Sequence, residues 1–387
     1  MAAPLPFQLF PGFDMKGVVS PALLEAATVF NLEGLQALQG IPEDKIAWAD
    51  LGTRVSIGEF EVKVPINLTS LVGFRPFEGT RHFHEMVAST VTVRPVPWDM
   101  SMSWPLALQT ASNPTLQAAY NFAGYAPMVV QNARAHKADL VASVVNAGFT
   151  SATLGVTAQA LTLPQGGGAY PSGLPLFTDG TITPAHFANP LDANSARFNN
   201  WFYNVGKITA TDVFGTVLQK MTEVPHASKA NMTMGLGVTD IVGPTWMLIP
   251  FIQLAAQTLS LQTTTSPANL AAATTNIYNP SVLSQVNASG IMPWRFHIAP
   301  QLNAHPYCVA NPNKHFWLSI SQGTPGAAWC ELVAPTKEFT PKLTLIGEND
   351  SLTVQTKQVH MVGDLVAGAA AGLPHFVQMW METNIAS

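Results

Sequence analysis

Two histidines one residue apart, His82-Phe83-His84, place two imidazoles on the same side of an extended segment, and Glu85 next to them makes a metal site conceivable. His84-Glu85 also begins like a zinc-protease helix. The second histidine such a helix needs one turn later is replaced by Ala88, so the pair of ligands is missing. His297, His305 and His315 surround Cys308, the residue types of a thiol nucleophile with its base or of a metal centre. Nothing in their spacing orients such a pair, and the expectation is histidines packed in the core and at interfaces. Gly235-Leu236-Gly237 lacks the third glycine of a dinucleotide fingerprint and precedes an expected strand, where that motif must follow one, so it reads as a turn. There is no Gly-x-Ser-x-Gly elbow and no Gly-x-x-x-x-Gly-Lys-Ser/Thr phosphate loop. Asp99, Asp179, Asp192 and Asp240 stand isolated along the chain, without the paired carboxylates of glycoside hydrolysis. Trp98, Trp104, Trp201, Trp294 and Trp317 are scattered without the spacing of a sugar-binding groove, and packing or subunit contact is their expected role. No catalytic, cofactor-binding or metal-binding residue is assigned, and a non-enzymatic chain is expected.

The elements that would hold any site are unusual in composition. In 387 residues only 11% are charged, against roughly a quarter in an average soluble protein. Ile241 to Trp294 contains no Asp, Glu, Lys or Arg, and neither does Leu140 to Thr178, so wide surfaces there lack the repulsion that keeps monomers apart. Such surfaces suit burial against copies of the same chain. The length predicts two or three lobes. A net charge of −5 excludes a basic protein that coats nucleic acid by itself, though not a wall that encloses it. Cys308 and Cys330 form neither a disulfide framework nor a zinc pattern and are expected as buried thiols in a reducing compartment. Met1 to Lys16, with three prolines and Asp14, does not read as an export signal, and Pro244 to Leu261 is too short and too interrupted to span a bilayer; no membrane partner is expected.

Along the chain, Leu23, Ala27, Phe30 and Leu35 recur near helical spacing within a Pro-rich first fifty residues, predicting an arm with one short helix. Alternation in Val62, Val64 and Ile66, then Val87, Val91 and Val93, predicts an extended strand-rich region over Thr53–Trp104. Asn113 and Pro114 can open a long helix, Gly124 and Pro127 should kink or divide it, and Asn146-Ala147-Gly148 stops it. A second helix follows Thr211 on Val213, Val217 and Met221 and ends by Pro225. Thr245 to Ile249 is expected as a buried strand, with a helix starting at Pro250 on Phe251, Leu254, Ala255 and Thr258. Trp317-Leu318-Ser319-Ile320 and Leu352-Thr353-Val354 mark a β-rich last third.

Several segments then resemble a known family in the same order. The helix end Ala138 to Thr150 (ADLVASVVNAGFT) is similar to the corresponding stop in the major head subunits of Mu-like phages and prophages. These subunits have the HK97-type capsid fold. Arg75-Pro76-Phe77-Glu78-Gly79-Thr80-Arg81 resembles their segment near an extended loop, and Leu176-Phe177-Thr178 their short strand after the helix. Met247-Leu248-Ile249-Pro250 is similar to their apolar strand running into a proline-started helix, and Phe316-Trp317-Leu318 and Phe339-Thr340-Pro341 resemble their late strands. The N-terminal arm and the charge-poor middle depart from the pattern.

The resemblance implies an α+β, HK97-like capsid fold: an N-terminal arm (1–50), an extended β-loop region (51–110), a peripheral domain with a long spine helix (111–230), an axial domain (231–340), and C-terminal strands (341–387) returning to the core. It implies a structural major capsid protein of a tailed bacteriophage virion. The chain would self-assemble in the host cytoplasm into homo-pentamers and homo-hexamers of an icosahedral head around double-stranded DNA, touched non-specifically. A separate scaffolding protein, a portal and a decoration protein are the implied partners. In some members of the wider fold a lysine of the extended loop forms a covalent cross-link; Lys63 is the only lysine of that region, and no partner residue is identified. The alternatives are an encapsulin-like compartment shell and a carbohydrate-active surface protein.

Overall fold

The computed structural model describes residues 14–16, 48–56, 62–66, 89–105, 125–157, 174–189, 194–203, 207–208, 216–226, 232–256, 260–262, 277–279, 294–322, 328–334, 341–347 and 350–382. Helix and sheet are mixed throughout, as an α+β chain requires.

The larger sheet is organised by one long strand, β17 (Gln358–Ala371). β16 (Lys342–Ile346) runs antiparallel to its first half, and β1 (Asp14–Lys16) lies parallel to β16. β15 (Cys330–Ala334) pairs antiparallel with its last residues and carries β2 (Thr53–Ser56) in parallel. β5 (Val96–Asp99) and β6 (Met102–Pro105) follow one another along β17, and Met100 N–H donates to the Gly363 carbonyl between them. That approach requires glycine: a Cβ at 363 would lie 2.5 Å from the Met100 oxygen. Val359, Met361, Leu365 and Ala367 alternate inward along β17, the two-residue period of a strand with one face on a core.

Helix α1 (Ala126–Ala147) lies against β15 and β17. Pro127 stands in the first turn of this helix, where its missing N–H has no partner to lose. The expected start at Asn113 lies outside the described residues. The stop falls where Asn146-Ala147-Gly148 places it. Gly148 N–H donates to the Val144 carbonyl, and a Cβ at 148 would meet the Leu176 Cβ at 2.5 Å. Val141, Val145 and Phe149 are fully buried.

The second sheet has the order β13 (Arg295–Ile298), β10 (Asp240–Gly243), β14 (Phe316–Ile320), β18 (Val377–Met381), β9 (Trp201–Tyr203). Its two outer pairs are parallel and its two inner pairs antiparallel. Every residue of β14 and β18 is buried because both faces are covered. Val242, Phe316, Leu318 and Met379 face the core shared with α1. Ile241, Trp317 and Trp380 face the other way, onto α2 (Leu218–Thr222) and α3 (Leu248–Ala256), whose Met221, Phe251 and Leu254 fill the second core. Trp317 and Trp380 stand opposite in register with parallel rings, centroids 6.0 Å apart.

The buried strand expected at Thr245–Ile249 is instead a 3-10 turn, Thr245–Met247, leading into α3 at Leu248. The strand lies earlier, at Asp240–Gly243, and Pro244 ends it. Pro250 is tolerated because it still falls in the first turn of α3. The alternation at Val62–Ile66 and Val91–Val93 forms a two-stranded ladder, β3 (Val62–Ile66) antiparallel to β4 (Ser89–Val93), with Val62 opposite Val93 and Val64 opposite Val91. Two further small ladders are β7 (His186–Phe187) with β8 (Arg197–Phe198), and β11 (Ser260–Gln262) with β12 (Ile277–Asn279). The expected arm helix lies outside the described residues. No described helix is long and apolar enough to cross a membrane.

Candidate functional site

The structure separates the residues that sequence had grouped around Cys308. His305 is fully buried between Phe149 and Phe316, and its Nδ1 accepts the Tyr307 N–H to cap the short helix α4 (Pro306–Ala310). Burial lowers its pKa to about 3. Burial likewise pushes the Cys308 thiol up, away from the thiolate a nucleophile needs. His315 Nδ1 accepts the Ile208 N–H, a structural bond to another segment. His297 turns to Asp240. Trp104, Trp201, Trp294 and Trp317 are core residues, leaving Trp98 at the surface with its indole N–H on the Ala367 carbonyl and its ring edge-on to His136. His82, His84 and Glu85 lie outside the described residues. Among the described residues no group of three or more His, Cys, Asp or Glu side chains is placed to hold a metal.

Asp240, expected to be isolated, is the most heavily partnered carboxylate described. Its oxygens accept from His297 Nε2 at 2.7 Å, Arg295 Nε at 2.8 Å and Nη2 at 2.9 Å, and the Thr239 hydroxyl at 2.7 Å. Burial pushes the Asp240 carboxyl up, but the bonds from His297, Thr239 and Arg295 and the guanidinium charge outweigh it and hold the group below the usual carboxylate range. Parallel pairing sets Asp240 opposite Arg295, and the two-residue period brings His297 to the same face. The Arg-x-His alternation was the available signal, and it needed the pairing of residues 55 apart to be read. With both oxygens occupied, the carboxylate has nothing left for proton abstraction. It clasps the edge strand β13 to β10.

A second buried cluster ties the segment 176–188 to Asn200, to the start of β18 and to the turn before it. Asn200 accepts the Thr178 N–H and donates toward the carbonyls of Leu176, Pro374 and Val377. His186 and His375, both buried, bond through Nε2 to the Leu176 and Ala188 carbonyls. Burial lowers their pKa values to about 3 and about 4. All three residues secure backbone turns, and none is presented to a substrate.

Among the described residues, α3 presents a group of large exposed apolar side chains. On α3 the inward side chains Phe251 and Leu254 are 3% and 4% exposed, while Leu248, Ile249 and Ile252 on the outer side are 49%, 65% and 52% exposed. Val309 of α4 is also exposed. Apart from exposed Gln253 the outer side of the helix is apolar, although only the inner side has a core to meet, the pattern of a contact surface.

No family model matches this chain. No curated protein matches either. Among solved structures it is similar to the procapsid of bacteriophage JBD30, at 11% identity and a TM-score of 0.43 over 93% of this chain and 75% of that one. It is similar to the capsid of Ralstonia phage GP4, at 13% identity and 0.41 over 86% and 87%. A third is the capsid of the cyanophage P-SCSP1u, at 10% identity and 0.40 over 86% of each chain.

The β3–β4 ladder is a separate construction. Val64 and Val93 anchor it in the core beside β15 and β17, and its two strands pair with each other and with no other described strand. Lys63 lies on this ladder opposite Thr92. The connection between its strands, residues 67–88, lies outside the described residues.

Proposed function

We propose that this chain is a structural major capsid subunit that assembles with its own copies into pentamers and hexamers of an icosahedral, DNA-filled phage head. The observation that carries the reading is the outward apolar face of α3, set in a stretch of 54 residues without a charged side chain. Removing apolar surface from water contributes about 25 cal/mol per Å². No charge in this stretch opposes the approach of a second copy.

The remaining architecture fits the same role. α1 serves as the spine helix of a peripheral domain, β10, β13 and β14 with α3 as the centre of the axial domain, and the β3–β4 ladder as the root of an extended loop reaching a neighbour. Residues 1–50, of which Asp14–Lys16 pair with β16, make the arm. The division at 51–110, 111–230, 231–340 and 341–387 is part of this proposal. So are a virion location, assembly in the host cytoplasm, a separate scaffold, a portal and a decoration protein, and non-specific contact with the packaged DNA. No catalytic role is assigned.

Light scattering after size exclusion, followed by negative-stain microscopy of the purified chain, tests the proposal. Closed shells or rings of five and six are the expected result. Replacing Ile249 and Ile252 together by Asp is expected to leave the circular dichroism unchanged and to abolish the assemblies. A stable monomer of the unaltered chain would refute the reading. Nucleic acid inside native particles separates a genome container from an encapsulin-like compartment.

A further inference from the structure

A cleft of about 350 Å³ opens beside β9, at the edge of the five-stranded sheet farthest from β13. Phe198, Phe202 and Pro225 supply apolar wall, and Arg197, Lys220 and Glu223 supply the charge. The walls are fixed before anything binds. Phe198 is packed between the rings of His186 and His375, and Phe202 stacks on Trp380 at 4.4 Å. The Arg197 guanidinium is held 4.3 Å over the Phe187 ring.

The charges are not equivalent. Glu223 is engaged by Lys220 at 3.2 Å and by Gln219 at 2.6 Å, so Lys220 and Glu223 neutralise each other. Arg197 is exposed and meets no carboxylate among the described residues. A cleft with one uncommitted guanidinium and aromatic walls fits a single carboxylate carried next to an apolar side chain. It does not fit a polyphosphate, which would bring several charges against one cation and the fixed charge of Glu223.

We propose that this cleft receives a carboxylate-bearing apolar segment from a second copy of the chain. The proposal rests on the capsid reading, and two features favour a copy as the occupant. The chain has 23 acidic residues against 18 basic ones, so its surface carries carboxylates in excess. The cleft and the outer face of α3 lie toward opposite edges of one sheet, as two different surfaces must for head-to-tail contact.

The test places the photo-cross-linker p-benzoylphenylalanine at Ala185, in the cleft wall, and irradiates the full-length assembled chain. Particle content is read on the same sample, and cross-linked peptides are mapped by mass spectrometry. The expected result is an intermolecular link to a segment of the chain containing Asp or Glu, weakened about two- to fivefold by Arg197→Ala. Arg197→Gln serves in the same way should the alanine variant fold poorly. Intact particles in which the link is absent, insensitive to Arg197 replacement or made to a different protein overturn the cleft assignment alone. Absence of particles overturns both proposals.

Discussion

Lowering the pH from 7.5 to 5 should destabilise this fold by an amount set by three buried imidazoles. His186, His305 and His375 are neutral in the folded chain, with pKa values reduced by burial to about 3, about 3 and about 4. In the unfolded chain each returns to about 6.5. Above that value neither state binds a proton and the three contribute no pH dependence. Below it the unfolded state takes up protons that the folded state refuses, so stability falls steadily until the folded pKa values are reached. At pH 5 the penalty is about 2 kcal/mol for each histidine, about 6 kcal/mol together, with a slope near 4 kcal/mol per pH unit. That is comparable with the whole stability of many domains, about 5–15 kcal/mol. His136 and His315, also lowered chiefly by burial, act in the same direction. Asp240, held below its ordinary value, loses its contribution only in more acid solution and leaves this window to the histidines. Urea unfolding of the full-length chain, followed by tryptophan fluorescence at half-unit steps of pH, measures the slope. His375→Gln, which keeps a donor for the Ala188 carbonyl, should reduce it by about 1.4 kcal/mol per unit. A stability unchanged between pH 7 and 5, or a slope unaffected by that replacement, would refute the reasoning.

Two other replacements have effects that follow from geometry. Asp240→Ala leaves Arg295 and His297 facing each other without their shared carboxylate and, with the guanidinium partly solvated, should cost about 1–3 kcal/mol, read as a fall in the thermal midpoint. Gly148→Ala forces a Cβ against Leu176 at the end of α1 and should cost about 1–3 kcal/mol by the same melt, whereas Gly155→Ala, where no side chain is near, should show only the cost of its left-handed backbone.

Local signals in the chain proved reliable where one segment decides its own conformation. The stop at Asn146-Ala147-Gly148, the alternation of Val62, Val64, Val91 and Val93, and the buried side of α3 at Phe251 and Leu254 all stand where spacing put them. One local reading failed: Leu352-Thr353-Val354, β-favouring by residue type, lies in the short helix Ser351–Thr356, whose first turn the Asp350 side chain caps by accepting the Leu352 N–H. The other failures occurred where a remote partner decides. Thr245–Ile249 is as apolar as a core strand, but Pro244 ends the strand before it, and the sheet takes Asp240–Gly243 between two strands more than 50 residues away. Asp240 looked isolated because its partners Arg295 and His297 arrive only through that pairing. Phe187 and Arg197 were likewise unremarkable until the short β7–β8 ladder stacked one on the other. The outer face of α3 was the most legible part of the candidate site, since the charge-free stretch is visible without any fold, although which of its residues point outward was not.

The central position of β17 sets the order of events during synthesis. β2, β5 and β6 are complete by residue 105, yet the strand that pairs β5 and β6, and on which the β2–β15 pair rests, begins at residue 358. At about 5–20 residues per second the ribosome needs roughly 10–50 s to cover that interval. Throughout it, those segments wait with their ladder groups unanswered, and pairing so distant in sequence is slow to form even after release. The half-made chain is therefore the aggregation-prone species, and holding it open until its last strands emerge is work for chaperones.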